Sequence, residues 1–132
     1  MSRKKRHSKL YFPFTAMPKH ITRSDAWFSC RPAARLIWFA VLERFDGANN
    51  GAISLSVREA AKYAGCSPNT AGRMFNELID AGLLICSQTS SFNSGKRLAR
   101  LWELTHLPKE GKVATNLWKS VSAKASSKRD TI

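Results

Sequence analysis

Acidic residues are scarce: nine Asp/Glu stand against 22 Lys/Arg in 132 residues, a formal net charge of +13. They are scattered along the chain and offer no carboxylate pair for acid/base work. His7, His20 and His106 are isolated, and HxxH, CxxC and a glycine-rich phosphate loop are all missing. An enzyme is therefore not expected, and nothing asks for a cofactor or metal. Cysteine is scarce too. Cys30, Cys66 and Cys86 are too few and too far apart for a disulfide framework or a zinc site, and read as small core residues of a reduced, cytosolic protein. The longest apolar run, Leu36 to Leu42, is far short of the ~20 residues of a membrane span. The basic start SRKKRHSK does not open a signal peptide, because Pro13 and Pro18 interrupt the stretch after it.

Positive charge is abundant, and it sits at the ends. Residues 1–23 carry seven Lys/Arg and no acid, residues 24–106 nine against seven, and residues 107–132 six against two. An excess of this size points to a polyanionic partner, nucleic acid or an acidic surface. The length suits about one domain, placed at 24–106 between a basic arm at 1–23 and a basic, partly ordered tail at 107–132. Residues 1–9 are too poor in apolar groups to order themselves. Tyr11, Phe12 and Phe14 are costly to expose, so Leu10 to Phe14 is expected to dock on the domain or on a second copy. Thr115 to Ser127 reads as a loose helix with Leu117, Trp118 and Val121 on one side.

The middle segment reads as helix, strand, helix, turn, helix, hairpin. After a short turn at Ser24 to Phe28, a first helix starts around Ser29 to Pro32, Ser serving as cap and Pro fitting the first turn. Its sequence PAARLIWFAVLERF is apolar almost all round, as for a helix buried on several sides. Asp46 to Gly51 stop it, and Ala52 to Leu55 form a short strand. Ser56-Val57-Arg58-Glu59 has capping-box spacing and opens a second helix that runs to Ala64. Gly65 turns the chain, Ser67 caps a third helix with Pro68 at its first position, and Ala71, Met74, Phe75, Leu78 and Ile79 mark its apolar side. Gly82 ends it. Leu83 to Cys86 and Lys96 to Leu104 then make a hairpin.

Two short helices joined by a glycine-containing turn are a helix-turn-helix unit. Ala61 is small where the helices cross, and Ala60, Ala64, Cys66, Ala71 and Met74 supply apolar contacts between them. The segment SPNTAGRMFNELIDAGLL resembles the recognition-helix region of winged-helix bacterial regulators such as the GntR and MarR families, over roughly residues 29–106. The run SCRPAARLIWFAVLERFDGANNGAISLSVREAA is similar to small helix-turn-helix proteins of bacterial plasmids, prophages and integrative elements. The resemblance implies a mainly α fold with a small β-hairpin wing (α+β), a winged helix-turn-helix whose third helix enters the major groove of double-stranded DNA while the wing touches the backbone.

The side of the third helix opposite its apolar face offers Ser67, Asn69, Thr70, Arg73 and Asn76. Arginine pairs bidentately with guanine and asparagine with adenine, while a hydroxyl near a helix N-terminus suits phosphate. Gly72 lies mid-helix at a cost of about 1 kcal/mol relative to Ala, and Glu77 and Asp80 suggest that only the N-terminal half reaches the groove. In the wing, Lys96, Arg97 and Arg100 suit phosphates, and Phe92 is expected to fold back under the hairpin. Arg3, Lys4, Lys5 and Arg6 of the arm would add non-specific affinity. The expected protein is a cytoplasmic, nucleoid-associated transcriptional regulator of a mobile element, with a homodimer matching symmetric half-sites. Replication initiation or partition at origin repeats is the alternative, and a protein-interaction or architectural winged helix a second one. No membrane partner is expected.

Overall fold

The computed structural model describes residues 12–89, 91–93, 96–98 and 100–121, and for 91–93 and 96–98 the backbone alone. These residues form α1 (Lys19–Thr22), α2 (Asp25–Phe28), α3 (Pro32–Glu43), β1 (Ile53–Ser54), α4 (Val57–Ala64), α5 (Pro68–Asp80), β2 (Leu84–Gln88), β3 (Ser91–Asn93), β4 (Lys96–Leu98), β5 (Leu101–Leu104) and a 3-10 turn (Leu117–Ser120). The fold is α+β: helices packed on a small antiparallel sheet of order β1–β5–β2. None of the described helices is long and apolar enough to cross a membrane.

Local signals set most of the boundaries. Ser56 accepts from the Glu59 N–H at 3.1 Å while the Glu59 carboxylate accepts from the Ser56 N–H at 3.0 Å, closing the capping box that starts α4. Gly65 ends α4 in the left-handed conformation at φ 70°, where a β-carbon is disfavoured. The start of α3 differs from expectation. Arg31, not Ser29, is its N-cap, and the Ser29 hydroxyl instead donates to the Ala26 carbonyl at 2.7 Å. With no side-chain cap of its own, α3 has the carboxylate of Glu77 beside its N-terminus. Glu77 accepts from the Arg31 N–H at 2.8 Å and from its guanidinium at 3.1 Å, and an anion is favourable at that end of the helix dipole.

α3, α5 and the sheet enclose the core. Phe75 stacks flat on Trp102 with ring centroids 4.2 Å apart. The indole N–H of Trp102 donates to the Leu55 carbonyl at 3.0 Å and that of Trp38 to the Leu83 carbonyl at 3.3 Å, so each buried ring keeps its polar edge satisfied. Across the sheet, Ile53 and Cys86 both face Trp102, and Leu84 faces Leu104. The register slips between Cys86 and Gln88, after which Ser91 pairs with Leu98 and Asn93 with Lys96 in the β3–β4 ladder. The expected hairpin is thus two ladders, β2–β5 with a bulge inside it and β3–β4, and its second strand is split into β4 and β5.

Two apolar assignments are corrected. Ile79 is exposed, and Glu77 takes the buried place on α5, because the carboxylate is held by Arg31 whereas Ile79 points away from α3. Cys30 is buried, but Cys66 and Cys86 are only half-buried. The folded unit also reaches beyond 24–106 at both ends. Ile21 and Trp118 belong to the core cluster, with Val121 packed against it, while Phe12 and Phe14 of the expected docking segment are exposed. Of the expected loose helix, the described residues 115–121 make one 3-10 turn, with Trp118 buried and Leu117 outward; Ser122 to Ser127 lie outside the described residues. Gly82, at φ 75°, lies so close that a β-carbon there would stand 2.6 Å from the Leu117 backbone. Asn50, read only as a turn residue, is buried. It accepts from the Leu104 N–H at 2.7 Å and donates to carbonyls of Leu104, Leu107 and Pro108, which clips the loop before β1 to the end of β5.

Candidate nucleic-acid interface

α4 and α5 meet across the turn Gly65–Ser67. The Cys66 N–H returns to the Ala61 carbonyl at 3.0 Å, and Ala60, Ala61, Ala71 and Met74 are buried between the helices and the core. Small side chains here let the two helices approach closely, and that fixes the direction in which α5 leaves the turn.

The N-terminal half of α5 presents a polar row. Ser67 caps the helix by accepting from the Thr70 N–H at 3.1 Å, and its hydroxyl donates to Thr70 Oγ1 at 3.0 Å. Arg73 Nη2 donates to the same oxygen at 3.3 Å. A hydroxyl has two acceptor positions and one hydrogen; with both acceptors engaged, Thr70 keeps its O–H to give to an outside acceptor. Asn69, Arg73 and Asn76 are exposed, and neither Asn makes a side-chain hydrogen bond among the described residues. Gly72 falls between them on the same face, and among the described residues nothing beyond the neighbouring residues and backbone of α5 lies within 4 Å of where a β-carbon would stand. Of the five residues expected here, Asn69, Arg73 and Asn76 share one exposed face, with half-buried Thr70 tied to Arg73 at its edge and Ser67 at the cap. Glu77, expected to place negative charge beside them, is turned inward and neutralised by Arg31. Asp80 alone of the two acids is exposed.

Of the residues expected in a wing, Lys96 and Arg97 lie in β4 opposite Asn93 and Phe92; their side chains, and that of Phe92, are outside the described residues, as are Arg3, Lys4, Lys5 and Arg6. Arg100 is half-buried rather than displayed. Its carbonyl accepts from the Leu55 N–H at 3.3 Å, and its Nε is enclosed without a hydrogen-bond partner, so only the tip of the guanidinium is left for an anion. Two cations were missed. Arg58 and Lys62 are exposed one turn apart on α4 and make no ion pair among the described residues. Their i, i+4 spacing directly after the capping box was the available signal.

The histidines are not isolated in space. His20 and His106 have ring centroids 6.1 Å apart, with Trp118 beside His20 at 5.5 Å and Trp38 beside His106 at 5.4 Å. Burial, and then the neighbouring His20, push the His106 pKa down to about 4, which keeps that ring neutral near pH 7. The cluster lies with the terminal segments, away from the polar row of α5. No group of three or more His, Cys, Asp or Glu side chains that could hold a metal ion occurs among the described residues. No family model, curated protein or solved structure matches the chain.

Proposed function

We propose that the chain is a winged-helix protein that binds double-stranded DNA sequence-specifically, as a regulator of transcription. The order α3, β1, α4, α5 and then a hairpin, with β1 on the outer edge of β5, agrees with the helix-turn-helix and wing arrangement. The observation that carries the reading is the outward polar row Ser67, Asn69, Thr70, Arg73 and Asn76 on a helix whose opposite face is core. It combines a guanidinium for guanine, two carboxamides for adenine and a free hydroxyl hydrogen for phosphate at a helix N-terminus. The net charge of +13 supports a polyanionic target. Lys96, Arg97, Arg58 and Lys62 would hold the backbone, with the Arg3–Arg6 cluster adding affinity on any sequence.

The test is selection of bound fragments from genomic DNA by the full chain at about 0.15 M salt, where phosphate-only binding weakens. Enrichment of one motif is expected, and its position at promoters or at origin repeats separates transcriptional control from replication initiation. Recovery of fragments without a shared motif would sink the proposal. Arg73→Ala should weaken the selected site by about 1–3 kcal/mol while binding to random DNA stays nearly unchanged.

A further inference from the structure

α3 is apolar almost all round, yet its outer side is only partly covered, Phe39 packing against the edge of the core. Ala34, Ile37, Trp38 and Val41 are buried, while Pro32, Leu36 and Glu43 face solvent and Phe39 is half-covered. At 100° per residue these outward positions fall on one stripe. Leu36 is 46% exposed, and Phe28, just ahead of the helix, is 54% exposed. A helix of this character is normally covered on both sides, and an apolar stripe left open marks an interface.

The charges on the stripe complement the stripe itself. Arg35 stands four residues before Phe39 and Glu43 four residues after it, about 6 Å to either side along the axis. Laid antiparallel on an identical helix with the two-fold axis beside Phe39, each Arg35 comes level with Glu43 of the second copy. Arg35 is held in place by hydrogen bonds to the carbonyls of Trp27 and Phe28 at 3.1 and 3.4 Å, with donors to spare. Glu43 makes no hydrogen bond or ion pair among the described residues; its charge opposes ionisation of Tyr63, whose pKa is raised first by burial and then by Glu43. The same arrangement carries the exposed Phe28 of one copy toward a groove of about 470 Å³ at the far end of the other copy's α3, bordered by Phe14, Leu42, Glu43 and Phe45.

We infer that a second copy of the chain packs antiparallel along α3, burying Leu36 and Phe39 and pairing Arg35 with Glu43 in both directions. The contact is isologous, as a two-fold dimer requires, and antiparallel helix dipoles favour it. None of the α5 residues assigned to DNA lies on it, so it does not depend on what α5 binds. A helix of twelve residues gives a contact at the small end of stable interfaces, so dissociation is expected at micromolar concentrations.

Sedimentation velocity on the full chain without DNA, from about 1 to 200 μM, spans that range. A concentration-dependent monomer–dimer equilibrium is expected. Leu36→Glu and Glu43→Arg should each weaken it at least about tenfold, since one buries an unpaired charge and the other sets two cations face to face. Far-UV circular dichroism and the melting temperature verify that the variants fold, and Glu43→Arg changes an exposed side chain that makes no ion pair among the described residues. A wild-type chain that stays monomeric throughout would overturn the inference and leave the stripe to residues 1–11 or to a different protein. Folded variants that associate as tightly as wild type would overturn it equally.

Discussion

Among the described residues, nothing beyond the neighbouring residues and backbone of α5 lies within 4 Å of where a β-carbon on Gly72 would stand, so packing among them does not explain a glycine in mid-helix. Gly72→Ala should therefore stabilise the fold by about 1 kcal/mol through helix propensity, read as a higher urea midpoint. If the α5 backbone approaches DNA at this point, the same variant binds more weakly although it is more stable. Unchanged affinity would remove Gly72 from the interface. Glu77 behaves in the opposite way. Its carboxylate is buried while Arg31 stays largely exposed, and Glu77→Ala should cost about 1–3 kcal/mol, chiefly by removing the anion that serves the start of α3 and leaving the Arg31 N–H unsatisfied. From sequence the two residues had readings that nothing local could correct. A glycine's free space and an acid's distant partner both depend on which helix lies alongside.

The helices divide along the same line. The start of α4, the turn at Gly65 and the start of α5 were legible because each is decided by residues within four positions: the Ser56–Glu59 box, a left-handed glycine, and a Ser67 cap followed by Pro68. The polar row of α5 was legible for the same reason, since helical spacing alone brings Asn69, Arg73 and Asn76 together. The start of α3 was not, because its anion comes from α5. Nor was the folded role of residues 107–121, where Trp118 is fixed by a contact with the far end of the chain. Ser56→Ala should destabilise by about 1 kcal/mol by opening the capping box, which chemical denaturation would read. Gly82→Ala should cost more, about 2–4 kcal/mol, because the left-handed φ and the Leu117 backbone both reject a β-carbon. Its exposure of Trp118 would appear as a red shift in fluorescence relative to wild type.

For the molecule as a whole, His106 sets a direction for pH. The unfolded histidine takes up its proton near pH 6.5, whereas in the fold burial and His20 delay protonation to about 4. The contribution of His106 to stability is therefore flat above about pH 6.5 and falls as pH drops from there to about 4, because the unfolded chain binds the proton first. With solvent screening at a partly exposed ring, the loss should be about 1–2 kcal/mol. Melting temperatures between pH 8 and 4 would trace it, and His106→Phe should flatten that part of the profile. If the proposed DNA binding holds, the concentration of basic residues at both ends predicts a log–log salt dependence of the affinity with slope about −5 to −7, for six to eight neutralised phosphates. Removing residues 1–9 should make the slope shallower and leave the preferred motif unchanged.

The contact of His20 with Trp118 and His106 joins segments far apart in the sequence. Ribosomes deliver those segments at different times, because Trp118 follows His20 by roughly a hundred residues. The helices and hairpin between them can form from neighbouring contacts as they appear, whereas this closure must wait until Trp118 has emerged and then bear the entropy of closing a loop of that length. Until then the face of α1 that ends up against Trp118 stands open on the nascent chain, and a chain stopped short of Trp118 would lack this closure.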